Sequence, residues 1–146
     1  MNQLHNPLTS VLIKPAGPDC NLGCSYCFYL EKADLFNNSG IHRMSDQVLE
    51  KTIRQVMAQS GESVSLTWQG GEPTLMGLDF FTKVVNLEQK YGRGKIVENG
   101  LQTNGTLIDE EWAAFLQENI FSFTRLLFPE NINLGSANPF ATSRTF

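Results

Sequence analysis

Between residues 10 and 119 the hydrophobic period of the chain switches back and forth between two and 3.6 residues, and this alternation restricts the fold more than any other feature. Residues 10–14, SVLIK, form a short apolar run closed by Pro15, the pattern of a strand buried on both faces of a parallel sheet. Ser45 offers a helix N-cap, and Val48, Leu49, Ile53, Val56 and Met57 then line one helical face until Gly61 stops it. In SVSLTWQGGEP, Val64, Leu66 and Trp68 alternate ahead of a Gly-Gly turn, which predicts a second strand. Phe80, Phe81, Val84, Val85 and Tyr91 mark a second helix, with Gly92 just beyond it. KIVENGLQTNG supplies a third strand, and Asp109 caps a third helix presenting Trp112, Phe115 and Leu116.

The order is three successive βα units. Strands separated by helical crossovers run parallel and wind with one hand, so the expected class is α/β, curling toward a (βα) barrel or opening into a doubly wound sheet. In such sheets chemistry gathers at the C-terminal strand ends. Those ends carry CNLGCSYC, QGGEP and QTNG, three loops that should face one mouth. Trp68 and Trp112 read as core residues, and His5 and His42 as loop histidines.

A chain of 146 residues is long enough for one core, and its net charge of -4 leaves no cationic patch for nucleic acid or an anionic membrane. The first fifteen residues lack the cationic start and apolar run of a leader or span, so the expected location is cytoplasmic. All three cysteines fall between positions 20 and 27, a poor disulfide framework but a ready metal loop in a reducing compartment.

The spacing C-x3-C-x2-C lets Cys20, Cys24 and Cys27 wrap one iron-sulfur cubane and leave an iron open to a small chelating ligand. The same thiols could bind zinc with His42 as fourth ligand, and GGEP taken alone reads as an ordinary turn.

The three loops together bear a family likeness. KPAGPDCNLGCSYCFYLEK resembles the cluster loop of radical S-adenosylmethionine (radical SAM) enzymes, and LTWQGGEPTLMGLDFF and LQTNGTLIDEEW resemble the anaerobic sulfatase-maturating branch. The likeness runs from about residue 12 to about residue 119. It implies the N-terminal half of a partial (βα)6 TIM-like barrel, with a 4Fe-4S cluster on Cys20, Cys24 and Cys27 whose open iron takes the methionine end of S-adenosylmethionine. Tyr26 would pack near the adenine, Gly70 and Gly71 would let backbone approach the cofactor, and Glu72 would bring charge toward its ammonium group. Gln69 and Gln102 would meet the substrate peptide, with Thr103 and Asn104 supporting the same turn. The implied reaction is oxidation of a cysteine or serine of a sulfatase to formylglycine through a 5'-deoxyadenosyl radical. A flavodoxin or ferredoxin would supply electrons.

Relatives of this kind are more than twice as long, and the resemblance places their auxiliary clusters and acidic proton acceptor in a C-terminal part not found in this chain. Residues 120–146 also depart from the family pattern, holding five of the ten phenylalanines and a single acidic residue, Glu130. They read as a divergent tail after a 1–119 half-core, arising from a reading-frame change or truncation, although FSFTRLLF could still pair beside the third strand. The alternative function is a catalytically inactive fragment that at most holds a metal or cluster at the cysteine loop.

Overall fold

The computed structural model describes residues 6–29, 32, 35 and 40–125. Its core is a four-stranded parallel sheet in chain order: β1 (Leu8–Ile13), β2 (Ser60–Trp68), β3 (Ile96–Thr103) and β4 (Ser122–Arg125). The connections are helical: α1 (Asp46–Gln59), α2 (Leu78–Gly92) and α3 (Glu110–Glu118). Parallel crossovers of one hand put all three helices on the same side of a sequentially ordered sheet, and this is the N-terminal half-barrel the sequence implies. Ile13 pairs with Trp68, Trp68 with Leu101 and Leu101 with Phe123, so the strands end level and their outgoing loops meet.

Strand alternation decides what each face carries. Val64, Leu66, Trp68 and Leu101 are buried on the helix side against Leu49, Ile53, Met57, Phe81 and Val84. Each such side chain contributes roughly 2 kcal/mol relative to exposure. Trp68, Phe80, Phe81 and Trp112 meet edge to face, with ring centroids 5.3–6.0 Å apart, and Phe121 extends the cluster from the turn before β4. The opposite, concave face carries Ser65, Thr67, Glu98 and Gln102 around a shallow cleft.

Several boundaries differ from the sequence reading. β1 begins two residues earlier than expected and is not covered on both sides: Leu12 is 53% exposed, because only one face of this strand meets helices. α1 stops at Gln59, and Ser60, extended at ψ 155, passes straight into β2, so Gly61 lies inside the strand. The Lys95 ammonium covers the freed carbonyls of Ser60 and Gly61 at 2.7 Å each. Val48 is 51% exposed, outside the apolar stripe of α1. Gly92 is the last residue of α2, and the left-handed turn falls on Arg93 (φ 39) and Gly94 (φ 86). Ser45 and Asp109 cap α1 and α3 as expected, through Val48 N and Trp112 N.

A fourth strand forms where the sequence allowed one, with Gly100 to Thr103 of β3 pairing in register with Ser122 to Arg125. His5, Leu127, Glu130 and the rest of the tail past residue 125 lie outside the described residues.

The helix-sheet interface holds one group the periodicity does not anticipate. Glu88 of α2 is buried and accepts from Asn99 Nδ2 at 2.9 and 3.1 Å, while Asn99 Oδ1 accepts from Trp68 Nε1 at 2.8 Å. Burial pushes the Glu88 carboxyl up to about 7, and the Asn99 amide offsets only part of that. The folded state therefore keeps a proton that the unfolded chain releases near 4.5, so stability is full below that pH and declines as pH rises toward 7. We expect Glu88→Gln to be more stable than the parent at pH 8 by on the order of 3 kcal/mol, with the gap closing at pH 4.5. Urea midpoints at the two pH values check this; a gap that does not change with pH would show that Glu88 is not the group responsible.

Candidate functional site

The site is assembled from three loops, and the first is anchored before its cysteines begin. Gly17 N and Asp19 N donate to Lys14 O and Ala16 O, turning the chain sharply out of β1. The Asp19 carboxylate then gathers the returning strand of the loop: it accepts from His42 N and from His42 Nδ1, both at 2.8 Å, and pairs with the Arg43 guanidinium. Burial pushes this carboxyl up, but the two His42 bonds and Arg43 together hold it below the usual carboxylate range.

The second loop is bonded to the first through backbone. Gly71 N donates to Gly17 O at 2.9 Å and Glu72 N to Asp19 O at 2.7 Å. A Cβ on Gly71 would lie 2.0 Å from Asp19 O, and one on Gly70, whose φ is +129, would lie 2.9 Å from Gly17 O. The space the two glycines leave is thus filled by the backbone of the cysteine loop, which is a second reason for glycine beyond the approach of a cofactor.

Glu72 joins the third loop. Its side chain is 0% exposed and accepts from Thr74 N (2.9 Å), Thr74 Oγ1 (2.6 Å), Thr103 Oγ1 (2.7 Å) and Asn104 N (2.7 Å). A carboxylate so fully engaged is turned into the protein, beneath the loops, and does not line the cleft above it. The picture of Glu72 presenting its charge directly to a ligand is replaced by one in which it ties the ends of β2 and β3 together.

Above this base is a cleft of about 220 Å3. The three thiols of Cys20, Cys24 and Cys27 border it on one side, with the exposed ring of Tyr26. Gln69, Gly70 and Gly71 border it from the second loop, and Gln102, Thr103 and Asn104 from the third. Ten of the eleven residues singled out from the sequence therefore meet at one opening, and Glu72 lies under it. Crowding around its sulfur pushes the Cys20 thiol up, the Leu22 N–H partly offsets this, and the Glu72 charge adds to it. Ligation would have to displace that proton.

Leu22, Phe28 and Tyr29 also line the cleft without having been anticipated. The run CFY directly after the cysteines was the available signal for the two aromatics. Lys14 lies 5.1 Å from the Tyr29 ring centroid, and Lys32 5.0 Å from that of Phe28. Asp19 was also missed, although it immediately precedes Cys20.

The donor set suits an iron-sulfur cluster better than a single ion. Three thiols from one short loop stand at a cleft wide enough for a group larger than one metal. Among the described residues no three side chains of His, Cys, Asp or Glu are close enough to share one ion. His42, the fourth ligand a zinc site would need, is not among the residues that line the cleft with the three thiols. Among the described residues no helix is long and apolar enough to cross a membrane.

The model of the Radical SAM superfamily matches residues 15–129. A cysteine-type anaerobic sulfatase-maturating enzyme of Clostridium perfringens is 48% identical over 116 residues, which are 79% of this chain and 31% of that protein. A serine-type anaerobic sulfatase-maturating enzyme of Bacteroides thetaiotaomicron is 46% identical over 110 residues, 75% of this chain and 27% of that one. Among solved structures, native anSMEcpe with bound AdoMet and Kp18Cys peptide superposes with a TM-score of 0.75 at 45% identity, over 86% of this chain and 34% of that one. The chain thus spans about a third of the length of the relatives it matches.

Proposed function

Because the chain belongs to the radical SAM superfamily, we propose that it is the cluster-binding part of an enzyme of the anaerobic sulfatase-maturating type. The observation that carries this reading is the convergence of Cys20, Cys24 and Cys27 with the Gly70-Gly71 and Gln102-Asn104 turns on one cleft at the strand ends. Cys20, Cys24 and Cys27 would hold a 4Fe-4S cluster as thiolates, with S-adenosylmethionine in the cleft beside them. Together these cofactors supply, when bound, the one-electron bond cleavage that starts hydrogen abstraction from the β-carbon of a sulfatase cysteine or serine on the way to formylglycine. The chain's own residues hold and shield. Tyr26 offers a flat wall suited to an adenine ring, Gly70 and Gly71 expose backbone, and the Gln69 and Gln102 amides can pair with the backbone of an extended peptide. Thr103, whose hydroxyl is on Glu72, contributes to the shape of the turn. The setting we propose is the cytoplasm, with a flavodoxin or ferredoxin as electron donor.

The test is anaerobic reconstitution with iron and sulfide, then spectra of the dithionite-reduced protein with and without S-adenosylmethionine. The expected result is a 4Fe-4S signal that changes when S-adenosylmethionine is added, and its loss, with about three-quarters or more of the bound iron, in Cys24→Ser. A parent chain that takes up zinc or no metal would refute the reading. A second reading rests on the chain's span of about a third of its relatives: a part that holds the cluster without turning over. Release of 5'-deoxyadenosine separates the two, appearing only if this chain cleaves the cofactor itself.

A further inference from the structure

One cysteine sulfur is met by a side-chain amide whose orientation is fixed by its other partners. Asn104 Nδ2 lies 3.7 Å from Cys20 Sγ, and Leu22 N lies 3.4 Å from the same sulfur. Asn104 is 6% exposed, and its backbone N–H is fixed on Glu72 Oε2 at 2.7 Å. Its Oδ1 accepts from Thr106 N at 2.9 Å and from Thr106 Oγ1 at 2.7 Å. Asn104 Nδ2 also donates to Asn21 Oδ1 (2.9 Å), and Asn21 Nδ2 donates to Thr106 Oγ1 (2.7 Å). The three side chains close a ring in which each donor has one acceptor. Rotating the Asn104 amide by half a turn would set its N–H groups against the Thr106 donors, so the network holds Nδ2 toward the sulfur.

Resting on the cluster reading above, we infer that Asn104 is a positioning residue that sets the reduction potential of the cluster held by Cys20, by donating an N–H to that ligand sulfur. A donor on a ligand sulfur draws charge from it and stabilises the reduced, more negative cluster. Losing the donor makes the cluster harder to reduce. The step affected is the uptake of one electron from an external one-electron donor, dithionite in the experiment, and no bond to Asn104 forms or breaks. Asn104 thus has a role apart from any contact with peptide.

The experiment is an anaerobic redox titration of the reconstituted chain, without S-adenosylmethionine, followed by the paramagnetic signal of the reduced cluster. Asn104→Leu removes the donor without adding charge. Asn104→Ala also removes the donor without adding charge, with less bulk at the turn, and carries the test if the leucine variant takes up too little iron. Thr106→Val removes the two ring bonds made by the Thr106 hydroxyl but leaves the Asn104 donor and its Thr106 N anchor. Asn104→Leu and Asn104→Ala should each lower the equilibrium constant for one-electron reduction about tenfold, a shift of about 59 mV downward. Thr106→Val should change it less than twofold. An unchanged potential in the Asn104 variants overturns the inference and leaves the cluster reading intact, as does a Thr106→Val shift equal to theirs, which would assign the effect to the shape of the turn. A parent chain with no reducible cluster overturns both.

Discussion

Replacing Glu72 with alanine is expected to remove on the order of 4 kcal/mol of stability, a large share of what a small domain has. The carboxylate is the common acceptor for two backbone N–H groups and two hydroxyls in a site with no solvent exposure. Each buried donor left without a partner costs about 1–3 kcal/mol, and only the hydroxyls of Thr74 and Thr103 can turn to seek another. Glu72→Gln tests the mechanism more finely. Its amide oxygen can replace Oε1 for Thr74 and Thr103, but its amino group then faces the Asn104 N–H, so roughly half the loss should remain. Urea midpoints would measure both. Parent-like stability in Glu72→Ala would mean that the loops hold without this link.

Gly71→Ala is the second large effect, and it starts from a steric clash. The new methyl would meet Asp19 O at 2.0 Å, Asp19 C at 2.5 Å and Pro18 O at 2.6 Å, all backbone atoms that no rotamer change can move. Relief requires the two loops to part, which breaks the bonds from Gly71 N to Gly17 O and from Glu72 N to Asp19 O. We expect a loss of roughly 3 kcal/mol from strain and lost bonds together. Gly40→Ala is the control, since among the described residues nothing lies within 4 Å of its Cβ position. Equal thermal midpoints for the two variants would contradict the packing argument.

The periodicities made the βα order legible, because Val64, Leu66 and Trp68 in β2 and Leu49, Ile53 and Met57 in α1 follow the spacing their burial demands. The helix starts were legible too, since Ser45 and Asp109 are caps by chemistry. The cysteine loop and the two turns that meet it could be read from residue type and from their places at strand ends. What the sequence did not show is the direction in which a polar side chain points. Glu88 falls on the same helical face as Phe81 and Val84, yet an acidic residue there reads as solvent-facing until Asn99 is seen opposite it. Glu72 carries a charge beside a cofactor turn, and only the positions of Thr74, Thr103 and Asn104 decide that this charge is directed inward. Asp19 was passed over for the same reason: its partners His42 and Arg43 lie more than twenty residues along the chain. Leu12 failed in the opposite sense, since an apolar residue on a parallel strand is covered only where other elements lie over both faces.

The Asp19 clamp has a further consequence for how such a loop can diverge. With Asp19 bonded to His42 and Arg43, and Met44 N bonded to Pro15 O at 2.8 Å, the chain leaves and rejoins the sheet through a neck that is closed without help from the cysteines. Once a loop is pinned at its base, doubling its length costs only about 0.6 kcal/mol. A change in the length of the loop is therefore weakly felt by the strands below, whereas Asn21 stays tied to Asn104 and Thr106. The foundation of the loop is thus laid by Pro15, Asp19, His42, Arg43 and Met44, so the thiol spacing can be selected for the cofactor while the half-barrel keeps the same base.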